Sequence, residues 1–340
     1  MKFPKGEAML FIYHGETDPY FNLAAEEYIL EQGRGAAFLL WRNGPSVIIG
    51  KNQNAYAQLN LPFVQANRIQ VARRLTGGGA VFHDLGNVNF TFITDAPEHG
   101  EIDFKRFTDP IIAILRQFGV TATLSGRNDL LAHGRKISGN AQCVYHTCDG
   151  RQRLLHHGTI LFSADLSRLS GALQVSREKM ESKGIASVES RVANIRELPG
   201  YRGPDTVEAF LRCLVDGAAA SYGPAWEYTA EQTAVIRQIA EDKYSTWDWI
   251  FGQSGEYRVC REKRFDFGSV SVSLDAHKGI IRRVSFSGDY FGARDTAELE
   301  ARLAGCRLEK VALTAALAGC EKYIYKSTSE QLAGLILGYS

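Results

Sequence analysis

No pair of cysteines here is spaced Cys-x-x-Cys, no uninterrupted apolar run is long enough to cross a membrane, and neither sign of charge dominates. Each absence removes a class of function. The six cysteines, Cys143, Cys148, Cys213, Cys260, Cys306 and Cys320, are scattered, so local spacing encodes neither a zinc site nor a dithiol redox motif, and reduced thiols are expected. Lysine and arginine total 39 against 38 acidic residues. No net field therefore draws the molecule to nucleic acid or to an anionic membrane, and any polyanion must be met by a local site. Residues 1–7 carry neither the apolar core of a signal peptide nor an arginine-rich amphipathic pattern, and a cytoplasmic protein is expected. Internal repeats, low-complexity tracts and long runs of like charge are missing too.

What is present is a chain of 340 residues with 45% hydrophobic side chains, enough to bury a large core and to divide into two domains. The clearest helix opens at Asp18, which can cap it, with Pro19 in the first turn and Phe21, Ala24, Ala25 and Tyr28 on one face before Gly33. Short strands follow at Ala37 to Trp41, Ser46 to Gly50, Gln70 to Arg73 and Asn87 to Thr94. A helix through Ile111, Leu115 and Phe118 ends at Gly119, and strand-like segments resume at Ala122 to Leu124, Asp129 to Ala132, Arg135 to Ala141 and His156 to Phe162. That order is α+β, not a regular βα alternation. Val207, Phe210, Leu211 and Leu214 mark another helix, and Thr229-Ala230-Glu231-Gln232 reads as a capping box. The aromatic, turn-rich stretch Tyr244 to Gly255 is the expected boundary between a domain over 1–246 and a smaller one over 253–340. In the latter, Arg264 to Leu274 and Gly279 to Phe286 read as one hairpin, followed by helices near Thr296 to Leu303, Leu308 to Ala318 and Ser327 to Gly338.

Three segments carry chemistry. Arg73-Arg74-Leu75-Thr76-Gly77-Gly78-Gly79-Ala80-Val81-Phe82-His83-Asp84 combines glycines, whose backbone can approach an anion or a thin acyl chain without Cβ interference, with arginines suited to phosphate. Its ordinary reading would be a glycine turn with solvated arginines, and the Gly-Lys-Ser/Thr ending of a Walker loop is absent. Gly134-Arg135-Lys136-Ile137-Ser138-Gly139-Asn140 sets a lysine among small residues, while Asn128 and Asp129 offer the oxygen donors that a phosphate-bound magnesium ion prefers. His156-His157-Gly158-Thr159 puts polar groups at the head of an apolar strand; alone, such histidines are more often core or surface residues than catalysts.

In order and spacing these segments resemble the lipoate-protein ligase family, and the similarity continues through Lys183-Gly184-Ile185-Ala186-Ser187-Val188-Glu189-Ser190-Arg191-Val192-Ala193-Asn194. The resemblance implies a large catalytic domain of the biotin/lipoate protein ligase type with mixed sheets, plus a small α+β C-terminal domain. By motif it implies that Arg74 and Lys136 contact ATP phosphate and that Gly79, Ala80, Val81 and Phe82 line the nucleotide pocket. Gly77, Gly78, Lys136, His157 and Thr159 would face lipoate, with Lys136 the catalytic cation. Asn128 and Asp129 would hold magnesium, and Lys183, Gly184, Ser187, Val188, Arg191 and Val192 would belong to the loop that covers the acyl-adenylate. ATP, Mg²⁺ and lipoate or octanoate are the implied small molecules, with no tightly bound prosthetic group. The implied partners are lipoyl domains of 2-oxoacid dehydrogenase complexes or the glycine-cleavage H protein.

After Ala141 the sequence departs from the family's commonest pattern, and Gln142 to Cys148 reads as a hairpin tip. It carries the rival reading: an octanoyl or lipoyl transferase using a Cys143 or Cys148 thioester, with His146 between them as activating base. A non-catalytic carrier-binding homologue is the other alternative. A biotin ligase is disfavoured, because the glycine segment lacks a Gly-Arg-Gly-Arg run.

Overall fold

The computed structural model describes residues 9–97, 103–125, 128–173, 191–254, 256–288, 290 and 294–339. The chain divides into two compact units, one of residues 1–51, 69–171 and 175–246, the other of 52–68, 172–174 and 247–340. The division does not follow chain order: residues 52–68, with short helices at Ala55–Gln58 and Leu61–Ala66, group with the second unit.

In the first unit the strands are β1 (Met9–Tyr13), β2 (Ala36–Trp41), β3 (Ser46–Ile49), β4 (Gln70–Arg73), β5 (Val81–His83), β6 (Asn87–Asp95), β7 (Thr123–Leu124), β8 (Asp129–Ala132), β9 (Arg135–His146) and β10 (Gln152–Leu161). Among the described residues, seven form a mixed sheet in the order β1-β2-β6-β10-β9-β8-β7, with β1 and β2 parallel. A small sheet, β4-β3-β5, lies apart from it in hydrogen bonding. The period of two along each strand gives the large sheet two unlike faces. One is apolar: Phe38, Leu40, Phe90, Phe92, Leu154 and Ile160 join a core completed by Phe107, Ile111, Ile114 and Leu115 of helix Phe104–Gln117 and by Phe210, Leu211 and Leu214 of helix Val207–Tyr222. The intervening residues Thr91, Asn89, His157 and Thr159 belong to the other face. Their register is fixed by the pairs His157↔Thr91 and Thr159↔Asn89.

The first helix, Pro19–Gln32, starts where Asp18 accepts from the Tyr20 N–H, as its sequence suggests. It is buried on more than one side, and Glu26 and Glu27 lie inside with Leu23, Ala24 and Ala25. Two acids within a packed helix require partners, and both have them.

The tip beyond Ala141 is shorter than its sequence suggests. Gln142 to His146 continue β9, and the turn occupies the residues around Asp149, where Thr147 and Arg151 both donate to that carboxylate. Tyr244 to Gly255 is also partly helical: a π-helix, Ala240–Tyr244, is followed by a helical turn, Trp247–Ile250.

The second unit corrects a strand reading. Arg264 to Leu274 is not one strand; the chain turns at Asp266 and Phe267, pairing β11 (Glu256–Phe265) with β12 (Gly268–His277), and β12 then pairs with β13 (Ile280–Gly288). Gly268 has φ 131°, a backbone region that favours glycine. The turn was hidden because Phe265 and Phe267 carry apolar residues through the reversal; in the structure the two rings stack at 5.0 Å. Val270, Val272, Ile281 and Phe286 pack on Leu299, Leu313, Leu332 and Ile336 of the following helices. No helix of the described residues is long and apolar enough to cross a membrane.

Phe210 is fully buried, stacked 4.8 Å from Phe162 and tilted against Phe118 at 5.1 Å. Phe210→Ala is expected to cost about 3–5 kcal/mol, read as a lowered urea midpoint for the unit that contains it. An unchanged midpoint would show that this cluster does not hold the unit together.

Candidate active site

The glycine segment is shaped by two adjacent arginines that face opposite ways from the end of β4. Arg73 is fully buried and donates to the carbonyls of Gly50 (2.9 Å) and Lys51 (3.0 Å). Arg74 donates from Nε to Thr76 Oγ1 (2.9 Å), from Nη1 to the Ile48 carbonyl (3.0 Å), and from Nη2 to the carbonyls of Gly77 (2.6 Å) and Gly79 (2.9 Å). Burial pulls both guanidinium groups down to about 10, which leaves them charged at neutral pH. Carbonyl dipoles that would repel a bound anion are thus each engaged by a cation. The two loops held in this way meet: a Cβ on Gly50 would collide with the Gly78 carbonyl oxygen, and Gly78 itself has φ 94°.

Beside this loop is a pocket lined by Arg74, Gly78, Gly79, Ala80, Val81, Asn128, Lys136, His157 and Thr159 among others. The structure therefore brings together parts of all three chemistry-bearing segments. Gly77 contributes its carbonyl to Arg74, and Phe82 is buried in β5; neither is among the lining residues. Lys183, Gly184, Ser187 and Val188 lie outside the described residues. Arg191 is exposed, whereas Val192 is buried and bridges to Lys136, with its carbonyl accepting from Arg135 Nη2 at 2.8 Å.

Lys136 brings a part-exposed ammonium to the pocket. Its Nζ is 2.8 Å from Asp129 Oδ1, with both side chains about one-third accessible. A Cβ on Gly139 would come within 2.8 Å of that Nζ, so the ammonium lies directly over Gly139. Around it, Asn128 Nδ2 donates to the Asn140 carbonyl (2.6 Å), Asn140 Nδ2 donates to the Asn128 carbonyl (2.9 Å), and the Gly139 N–H donates to Thr159 Oγ1 (3.0 Å). Among the described residues no group of three or more His, Cys, Asp or Glu side chains could hold a metal ion. One carboxylate already paired with Lys136, plus one amide, suits an ion that brings phosphate and water ligands with it.

The two adjacent histidines of β10 part company. His156 faces the core, 4.9 Å from the Phe107 ring, and burial pulls it down to about 3, so it is neutral. His157 lines the pocket, with Nδ1 3.0 Å from Glu26 Oε1 and Nε2 2.7 Å from Thr76 Oγ1.

Sequence reasoning assigned no role to His83, Trp41, Asn89 or Asn140, all of which line the same pocket. Burial first, and then the nearby Arg74 and His157 charges, pull His83 down to about 3. Asn43, whose Oδ1 accepts from Asn22 at 2.8 Å, donates to His83 Nδ1 at 3.1 Å. The proton of the neutral ring is therefore assigned to Nε2, an atom unpaired among the described residues. The alternation Val81-Phe82-His83 was a signal that could have raised His83; nothing local pointed to Asn89 or Trp41.

Neither Cys143 nor Cys148 is activated. Burial pushes Cys143 up to about 11, and the Glu31 carboxylate, 3.6 Å from its sulfur, raises Cys148. A nucleophilic thiol needs the opposite environment.

Residues 18–219 match the family model described as the lipoyl protein ligase A/B catalytic domain, and residues 254–336 match that of the bacterial lipoate protein ligase C-terminus. The chain is 40% identical over 337 residues to the lipoate-protein ligase LplJ of Bacillus subtilis, covering 96% of this chain and all of that protein. Among solved structures, it resembles the bipartite lipoate protein ligase of Thermoplasma acidophilum, described with its E2 lipoyl domain, at a TM-score of 0.59 and 28% identity over 73% of this chain and 97% of that one. It resembles a lipoate-protein ligase A bound with ATP at a TM-score of 0.57 and 26% identity, over 72% of this chain and 99% of that one.

Because the Gly50 contact is with backbone and not with the end of a flexible side chain, Gly50→Ala must displace the glycine loop. The variant is expected to fold with a loss of about 1–3 kcal/mol and to lose about 100-fold in turnover through misplacement of the loop. Thermal melting and a turnover assay check the two separately, and wild-type turnover would show that the contact does not shape the site.

Proposed function

This chain belongs to the lipoate-protein ligase family, and from that premise we propose that it uses ATP to activate lipoate as lipoyl-AMP and then transfers the lipoyl group to a lysine of an acceptor protein. The observation that carries the reading is the Lys136 ammonium over Gly139, in a pocket whose adjoining wall is the arginine-held glycine loop. A carboxylate is a poor acyl donor, since its charge repels nucleophiles and oxide does not leave. In the first step a lipoate carboxylate oxygen attacks the α-phosphorus of ATP, and the bond to pyrophosphate breaks. Two anions must approach, and a fixed cation stabilises the charge that accumulates on the phosphoryl oxygens. In the second step the neutral acceptor amine attacks the acyl carbon, the bond to AMP breaks and the amine proton leaves to solvent. The same ammonium serves the carbonyl oxygen.

Arg74 acts in this scheme chiefly by holding the loop, with four of its donor contacts already made to protein oxygens. Gly79, Ala80, Val81 and Phe82 are assigned to the nucleotide, and Gly77, Gly78, His157 and Thr159 to the acyl chain. Magnesium arriving with the nucleotide would neutralise phosphate charge, with Asn128 and Asp129 the residues to hold it. We assign catalysis to residues 1–246 and an accessory role to 253–340. A cytoplasmic setting is part of the reading, as are acceptors of the lipoyl-domain or glycine-cleavage H type. The thioester alternative loses ground because neither Cys143 nor Cys148 is in surroundings that favour a thiolate.

The decisive assay is lipoate-dependent exchange of labelled pyrophosphate into ATP without acceptor protein; a ligase catalyses it, and a thioester transferase or binding module does not. Lys136→Ala is expected to lower exchange about 100- to 1,000-fold with little change in melting temperature. Lys136→Arg should fail nearly as badly, because a planar fork cannot occupy the place of a point charge. Normal exchange in folded Lys136→Ala would sink the mechanism. Replacing Cys143 and Cys148 together by serine should leave acceptor lipoylation largely intact, and its complete loss, with a trapped thioester in the parent enzyme, would favour the transferase.

A further inference from the structure

The pairing of β8 with β9 is irregular at one place, and the irregularity decides what Lys136 faces. Asp129 pairs with Gly139 and Leu130 with Ser138, but Leu131 pairs with Lys136, so Ile137 is an extra residue on β9. Side chains alternate along a regular strand; by that count Lys136 would share the face of Ser138, and Ile137 that of Gly139. One extra residue reverses the count. Ile137 is fully buried in the core with Leu130, and Lys136 comes round to the pocket with Gly139. Its ammonium therefore meets Asp129, the cross-strand partner of Gly139, at 2.8 Å. A Cβ on Gly139 would stand 2.8 Å from the Nζ and 3.9 Å from Asp129 Oδ1, so cation and carboxylate lie side by side over one glycine.

That carboxylate opposes anion binding. A triphosphate without metal meets Asp129 as a like charge and must compete with it for the ammonium. Arg74 offers little in exchange, because its donors are bonded to loop and strand oxygens. A metal-bound triphosphate changes both terms: its cation attracts Asp129, and a carboxylate turned to a metal no longer holds the lysine. Asn128 stands next to it with its amide N–H given to the Asn140 carbonyl, and its Oδ1 is a neutral oxygen of the kind a hard cation takes. We infer that Asp129 is a selectivity residue that makes nucleotide binding depend on the metal: it holds the Lys136 ammonium until a metal-bound triphosphate engages the carboxylate, and then releases the ammonium to phosphate. The inference rests on the ligase reading and deepens it. Its consequence is order, since the ammonium reaches a phosphate only when the metal is there to share the charge.

The test is equilibrium binding of ATP to the full chain without lipoate, by calorimetry, once with excess magnesium and once with EDTA. Asp129→Asn keeps the size and removes the charge. It is expected to bind metal-free ATP about fivefold more tightly than the parent, the scale of freeing a part-exposed ion pair, and to bind magnesium-ATP no more tightly, so that the gain from magnesium shrinks. In a Lys136→Ala background the same change should tighten metal-free ATP by less, because no ammonium is there to free. Folded Asp129→Asn that binds metal-free ATP no better than the parent overturns the inference. So does equal tightening with and without magnesium, the mark of a general repellent, and so does full tightening in the Lys136→Ala background. If Asp129→Asn fails to fold, the parent decides: in a crystal with a non-hydrolysable ATP analogue and magnesium, Lys136 Nζ is expected to have left Asp129 for phosphate, and an intact pair overturns the inference. Parent enzyme with no lipoate-dependent pyrophosphate exchange would retire the ligase reading itself, and this inference with it; normal exchange with unaltered ATP binding in the variant retires this inference alone.

Discussion

The structure around the site depends on two guanidinium groups that are buried where solvent cannot compete for them. Arg73 holds the Gly50–Lys51 turn and Arg74 holds Gly77 to Gly79, and the two turns touch at a point where only glycine fits. A buried cation without acceptors would be prohibitive. The carbonyls of the loops supply them, so folding the loops and satisfying the arginines are one event. That coupling explains how a run of three glycines, the most flexible kind of segment, is presented in one conformation. Adjacent arginines in a glycine-rich segment invite a reading as phosphate ligands, yet here their donors are largely spent on the protein, and it is Lys136 that brings a part-exposed ammonium to the pocket.

The large sheet then divides labour between its faces. One face is sealed by phenylalanines and the helices over them; the other is polar in the middle, with Asn89, Thr91, His157 and Thr159 on adjacent strands. A polar patch on a sheet interior is tolerable only if its groups are bonded or reserved for a ligand. Here Thr91, His157 and Thr159 are bonded, while Asn89 Nδ2, at the pocket wall, is unpaired among the described residues. Glu26, entering from the helix, organises the bonded part. On the proposed ligase reading, Lys136 supplies the charged end of this pocket and acts on the reacting oxygens.

Much of this was legible in the chain. The Asp18 cap, the Gln70 to Arg73 and Asp129 to Ala132 strands and the Thr229 capping box follow from local pattern and stereochemistry. The segments around Gly78, Lys136 and His157 could be singled out by their combined order and spacing, since each alone reads as ordinary structure. Less legible were features where local pattern is ambiguous: the reversal at Asp266–Phe267, masked by two neighbouring phenylalanines, and the extension of β9 through Gln142 to His146, past the point where the family pattern ends.

By itself the sequence determined which kinds of group are available and which stretches are helix or strand, because backbone preference and hydrophobic period are local properties. It could not determine what each polar group faces. His156 and His157 are neighbours with the same side chain, yet one is stacked in a phenylalanine core and the other is bonded to Glu26, 131 positions away in the chain. Only the packing of helices on one side of the sheet decides which face is core, and hydrogen-bond partners distant in sequence decide whether an arginine serves a ligand or a loop. Those are tertiary matters because burial and pairing depend on what the rest of the chain brings to the same place.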